Sequence, residues 1–150
     1  MIPATRPYPT ACVVDASVLV KVFLPEDGSD DATDLIHGAD GSETMRAAPD
    51  LAYLQCANIF WKHARRGQLS PDDARASLRD LLALPLRIWP HDDIAEPALD
   101  LAISLGITAY DASYLALSRL LDVPLVTADS ALVRKLGGPG ERLRLLGTSR

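Results

Sequence analysis

A chain of 150 residues can bury one sizeable core, and 48% hydrophobic with 23% charged side chains is the balance of an ordinary globular protein. No apolar run approaches the ~18 residues a membrane-spanning helix needs, and a formal charge of −5 argues against a basic sheath that tracks a nucleic-acid backbone. Cys12 and Cys56 have neither metal-type spacing nor the density of a secreted disulfide scaffold, so both read as buried thiols of a cytoplasmic protein.

Met1–Thr10 contains Pro3, Pro7 and Pro9 and no apolar stretch. It reads as an irregular lead-in rather than a secretory signal, with 1–150 expected to form a single domain. Ala11-Cys-Val-Val is a short buried strand that runs into Asp15. Ser17–Leu24 has room for about two helical turns before Pro25 ends them. Asp27–Ala39 has a narrow apolar stripe of Ala32, Leu35, Ile36 and Ala39 and predicts a second helix; Gly41-Ser42 is a break. Thr44–Ala48 is a weak second strand closed by Pro49-Asp50.

Leu51–Arg66 predicts a helix whose apolar face comprises Leu51, Leu54, Ala57, Ile59, Phe60 and Trp61, with Gly67 as its stop. Ser70-Pro71-Asp72-Asp73 is a helix start, with a capping Ser, Pro at the first helical position and acids in the first turn. That helix should turn Ala74, Leu78, Leu81 and Leu82 inward and stop at Pro85. Leu86–Trp89 is a third strand, Asp92–Leu105 a helix ended by Gly106, and Thr108–Leu121 a helix capped by Thr108. Val123–Thr127 is a fourth strand, Ser130–Leu136 a short helix, and Leu143–Leu146 a last edge strand. Strands alternating with helices predict an α/β fold with a parallel sheet covered on both faces.

In such a fold, a helix that follows or precedes a strand begins or ends at a defined sheet edge. Asp15 ends strand one, Asp129 follows strand four, and Asp111 is in the first turn of the helix Thr108–Leu121. All three acids are therefore expected on the carboxyl rim, where open α/β sheets bind ligands at a topological switch point. Each also suits helix capping or the helix dipole. If they share a site, clustered carboxylates call for a neutralising divalent cation, and oxygen ligands suit Mg²⁺ or Mn²⁺. His37, His63 and His91 lie on separate elements and offer no zinc-type spacing.

Four stretches carry a resemblance: Val13-Val-Asp15-Ala-Ser17, Ala48-Pro-Asp-Leu-Ala-Tyr-Leu-Gln55-Cys-Ala-Asn58, Ile107-Thr-Ala-Tyr-Asp111-Ala-Ser-Tyr-Leu-Ala-Leu and Leu125-Val-Thr-Ala-Asp129. In this order and spacing they resemble the successive motifs of the PIN domain, and most of all the VapC-type toxins of toxin–antitoxin pairs. The resemblance implies a three-layer PIN-like fold with a five-stranded parallel sheet in the order 3-2-1-4-5. It also implies a Mg²⁺- or Mn²⁺-dependent endoribonuclease, acting as a homodimer with an antitoxin partner. Asp15, Asp111 and Asp129 match acids of that site as metal ligands and catalytic residues, with Ser17 and Asn58 in support. Asn58 serves equally as a structural amide. The resemblance breaks at Gln55, where the family usually has a Glu. A Gln there keeps length and a carbonyl oxygen but loses the charge; it is expected in the catalytic set, holding a metal-bound water or coordinating weakly, so a weakened enzyme and an inactive one both fit.

Two other functions are weighed against this. A catalytically silent PIN-fold module that binds RNA or protein is favoured by Gln55 alone. A phosphotransferase with Asp15 as covalent nucleophile needs a second Asp two residues on, and Ser17 occupies that place. Neither glycine motif of the nucleotide-binding folds is present.

Overall fold

The computed structural model describes residues 8–38, 43–140 and 142–147. The expected break at Gly41-Ser42, and the lead-in up to Pro7, lie outside the described residues. Chain order is β1 (Ala11–Val14), α1 (Ala16–Leu19), α2 (Ser29–His37), β2 (Met45–Pro49), α3 (Leu51–Arg65), α4 (Pro71–Leu82) and β3 (Arg87–Trp89), then α5 (Ala95–Leu105), α6 (Ala109–Leu121), β4 (Leu125–Thr127), α7 (Ser130–Lys135) and β5 (Leu143–Leu145). The strands form one parallel five-stranded sheet in the order β3-β2-β1-β4-β5, as expected, with helices on both faces.

β1 lies at the centre because Cys12, Val13 and Val14 are fully buried and present no polar side chain to either face. It pairs Val13 with Leu125 and Val14 with Val126 of β4. The order therefore reverses between β1 and β4, and the switch point lies just beyond Val14 and Thr127. β2 is a poor strand by composition, with Arg46 as its second residue, and is held by its place between two neighbours. Arg46 is itself buried. Its guanidinium donates to the carbonyls of Leu35, at 2.6 Å, and of Pro9 and Thr10, at 3.0 and 3.1 Å. One buried cation thus ties the last turn of α2 and the entry to β1 onto β2.

Several element ends differ from expectation for local reasons. The stretch after Asp15 begins one residue early and tightens into a 3₁₀ turn at Val20–Val22, where β-branched residues crowd an α-helix. The helix expected from Asp92 is a 3₁₀ turn at His91–Asp93, a break at Ile94, and then α5. Pro97 falls within the first turn of α5, where its missing N–H costs nothing. Ser70 and Thr108 cap as read: their hydroxyls accept from the N–H groups of Asp73 and Asp111, at 3.0 and 3.1 Å.

The faces of α3 and α4 need correction. The buried stripe of α3 is Ala52, Cys56 and Phe60, whereas Leu54 is 78% and Trp61 52% exposed. Phe60 meets Phe23 edge-on with ring centroids 6.2 Å apart, and the Trp61 face is covered by Arg65 instead. On α4, Leu81 is fully buried but Leu82 is exposed. In contrast, α6 buries every residue from Ala112 to Ser118, lying between the sheet and α5. Its polar members are satisfied locally, with Ser113 donating to the Tyr110 carbonyl and Ser118 to that of Val123. Among the described residues no single helix is long and apolar enough to cross a membrane.

Candidate active site

The carboxyl rim of the sheet collects side chains from five elements. Asp15 follows β1, and Thr127 ends β4. Asp129 caps α7, Asp111 lies in the first turn of α6, and Gln55 and Asn58 lie on α3, which starts at the same rim. Together with Ser17, Ile59 and Tyr114, all but Thr127 of these line one cleft of about 210 Å³. Every residue expected at the site is brought to it. A larger hollow of about 530 Å³ near the start of β5 holds only one acid, Asp122, already paired with Arg142. A further hollow of about 710 Å³ gathers Glu26, Asp27, Asp30 and Asp31, but these acids come from one stretch of chain, whereas those of the cleft come from three separate elements at the switch point of the sheet.

Asp15 is 6% exposed and both of its oxygens are engaged. Oδ1 accepts from the Ser17 hydroxyl at 2.5 Å and from the Val18 N–H at 3.3 Å, while Oδ2 accepts from the Thr127 hydroxyl. Capping and site formation are thus the same arrangement, since the oxygen that caps α1 is fixed by the bond that starts it. A carboxylate accepts at about four lone-pair sites, so roughly one remains open on Oδ2. Ser17 Oγ in turn accepts from the Ala128 N–H at 2.9 Å, and Thr127 Oγ1 accepts from the Asp129 N–H at 3.1 Å. The two hydroxyls therefore sew β1 to the turn after β4. Their 3.3 Å approach to each other is proximity, because both protons are committed to Asp15. Asp129 Oδ1 caps α7 through the Leu132 N–H at 3.0 Å.

Burial pushes the Asp15 carboxyl up to about 6, against the hydrogen bonds from Ser17, Thr127 and Val18, and the Asp111 charge adds to the rise. Burial also raises Asp111, followed by the like charge of Asp129. The acids thus form a chain of mutual repulsion from Asp15 through Asp111 to Asp129. Beneath them, Cys56 is driven up to about 12 by burial and by Asp15, and Cys12 to about 11 by burial, so both thiols stay protonated and inert.

The donor set is all oxygen and carries net negative charge, which suits a hard divalent cation. Among the described residues, however, no three His, Cys, Asp or Glu side chains group as ligands of one ion, so the expected three-carboxylate cage is not formed. An ion here would be held by few protein oxygens and by water, the arrangement Mg²⁺ ordinarily takes. The histidines stand apart from the cleft as expected: His63 Nδ1 lies 3.0 Å from the Ile59 carbonyl, and His91 Nδ1 2.9 Å from Asp50 Oδ1.

Two residues escaped the sequence reading. Thr127 is fully buried and orders Asp15; its signal was a hydroxyl ending a strand two residues before an acid. Tyr114 is buried beside the cleft and its hydroxyl donates to Gln55 Oε1. Its signal was the spacing from Asp111, one helical turn along α6.

A PIN domain family model matches residues 12–137. Ribonuclease VapC3 of Pyrobaculum aerophilum is 36% identical over 125 residues, covering 82% of this chain and 92% of that protein. Ribonuclease VapC1 of Mycobacterium tuberculosis is 32% identical over 131 residues, covering 87% and 94%. The crystal structure of PAE2754 from Pyrobaculum aerophilum superposes with a TM-score of 0.60 at 25% identity, over 90% of this chain and 82% of that one. A toxin–antitoxin complex from Klebsiella pneumoniae shares the fold at 19% identity, with a TM-score of 0.54 over 79% and 87%.

Proposed function

This chain belongs to the PIN-domain family of VapC ribonucleases, and from that premise we propose that it hydrolyses RNA phosphodiesters internally, as the toxin of a toxin–antitoxin pair. The observation that carries the reading is the meeting of Asp15, Asp111 and Asp129 on one cleft at the switch point of the sheet. Asp15, Asp111 and Asp129 are the residues that would hold Mg²⁺ or Mn²⁺, in part through its coordinated water rather than as a closed three-carboxylate cage. When bound, such an ion lowers the pKa of an attacking water and offsets the charge that builds on the phosphate.

The chain's own residues do the remainder. Ser17 and Thr127 fix the Asp15 carboxylate at the wall of the cleft. Asp129, exposed at the head of α7, is placed to hold a water and accept its proton. Asn58, exposed on α3, supports the opposite wall of the cleft. Gln55 contributes no charge, which lowers the expected rate and is the reason a silent binding module remains the second reading.

The relatives named as VapC ribonucleases and the fold shared with a toxin–antitoxin complex support an antitoxin as protein partner. A homodimer is supported by the apolar pair Leu99 and Ile103, one turn apart on α5 and 53% and 74% exposed. We place the protein in the cytoplasm, where its RNA substrate and two buried free thiols fit, and read 1–150 as a single domain. The test is cleavage of a linear labelled RNA in Mn²⁺ by the wild type and by Asp129→Asn. A loss of about a hundredfold or more is expected from the substitution. Equal cleavage by both proteins overturns the assignment, and binding of RNA without cleavage favours the silent module.

A further inference from the structure

The cleft has two chemically different walls. Asp15, Asp111 and Asp129 form an acidic wall, while α3 presents two neutral amides, Gln55 and Asn58, one turn apart. A carboxamide is ambiguous, because one end accepts hydrogen bonds and the other donates. The surroundings of Gln55 remove that ambiguity. Tyr114 is 3% exposed, and its hydroxyl reaches from α6 to α3. The phenol has a single proton to give, and it goes to Gln55 Oε1. Burial, with Asp15 and Cys56 nearby, raises the Tyr114 pKa, so that proton is retained at any ordinary pH.

The other end of Gln55 is consequently set. Nε2 makes no hydrogen bond among the described residues, and no buried side-chain nitrogen or oxygen among them lacks a partner. The Nε2 group is therefore open, on a residue that lines the cleft. We propose that Tyr114 is a positioning residue that holds Gln55 with its N–H₂ group facing the cleft, where it donates to a non-bridging oxygen of the RNA phosphodiester. The inference rests on the ribonuclease reading and extends it, giving Gln55 a substrate-binding role in place of a metal-binding one. Amide side chains commonly donate to nucleic-acid phosphates in this way, and such a donor is needed where three acids repel the same phosphate.

The experiment is the affinity of a fluorescein-labelled single-stranded RNA in EDTA at fixed salt, read by anisotropy, which involves neither metal nor turnover. Gln55→Met removes the donor without adding charge and should weaken binding by about tenfold, the scale of one hydrogen bond to a charged group. Gln55→Glu should weaken it further. Tyr114→Phe should cost about threefold in the wild type by freeing the amide to turn over. In the Gln55→Glu background Tyr114→Phe should cost nothing, because a carboxylate has two equivalent ends and no orientation to lose. A tyrosine that only supports the fold would cost the same in both backgrounds, and that result overturns the proposal. So does a Gln55→Met protein that binds as the wild type does, a test that leaves Tyr114 untouched. A wild type that neither binds nor cuts RNA removes the ribonuclease reading and this inference together; cleavage with equal Tyr114→Phe penalties removes the inference alone.

Discussion

At the scale of single residues, the site is governed by what surrounds each carboxyl rather than by which carboxyls are present. Asp15 was legible as a cap and as a candidate acid of the site, and in the structure it caps α1 and lines the cleft. What the sequence concealed was the price of its burial and the hydroxyl that offsets part of it. Thr127 is distant from Asp15 in the chain, and only the β1–β4 pairing brings them together. Likewise Gln55 was legible as a departure from the family, but not its bond to Tyr114, since no local pattern joins α3 to α6. The raised Asp15 carboxyl has a consequence that can be measured. Its value moves from an unfolded 3.8 to about 6, so the protonated form is favoured by folding. That stabilisation is present below about pH 4 and is lost as pH rises through about 6, with Asp111 acting in the same direction. In EDTA the contribution of these groups to the melting temperature should fall across this window, and Asp15→Asn should make the fall smaller. A wild type and variant with parallel pH profiles would contradict the account.

At the scale of elements, capping chemistry was the most legible layer, because Ser70, Thr108 and the Pro71 start act within four residues of themselves. Helix faces were less so. The apolar content of α3 exceeds what the core takes, and periodicity does not say which of two apolar stripes is covered. The small Ala52 and Cys56 let α3 approach α1, and Phe60 below them packs on Phe23, while the bulk of Leu54 and Trp61 lies outside. β2 was legible only weakly, since Arg46 within it argues against a buried strand. The carbonyls that neutralise that objection come from Leu35, Pro9 and Thr10, remote in sequence. Arg46→Met keeps the aliphatic length but removes the guanidinium donor from the buried Leu35 carbonyl, and should destabilise the protein by about 1–3 kcal/mol. Urea unfolding gives the value directly. An unchanged midpoint would mean that water or neighbouring donors replace the guanidinium.

At the scale of the whole molecule, alternation of strands and helices was enough to expect a parallel sheet, but not the strand order. That came from the resemblance, which depends on four motifs that are weak singly and specific together. The order matters because it places β1 beside β4, and with them the acids that the chain separates by about a hundred residues. The exposed apolar surface of α5 is the outward counterpart of this arrangement. Ile103→Asp should convert the expected dimer to a monomer in light scattering at micromolar concentration without altering the melting profile of the subunit; a wild type already monomeric there would refute the dimer.

The central claim is that the cleft cuts RNA internally with the help of a divalent cation held by its acids. A circular RNA tests it most directly, because it has no ends and is opened only by an internal cut. The wild type should linearise it in Mn²⁺ and leave it closed in EDTA, and Asp111→Asn should leave it closed in both. A circle that survives the wild type in Mn²⁺ while a linear RNA is degraded from its ends would contradict the account, as would linearisation by Asp111→Asn at the wild-type rate.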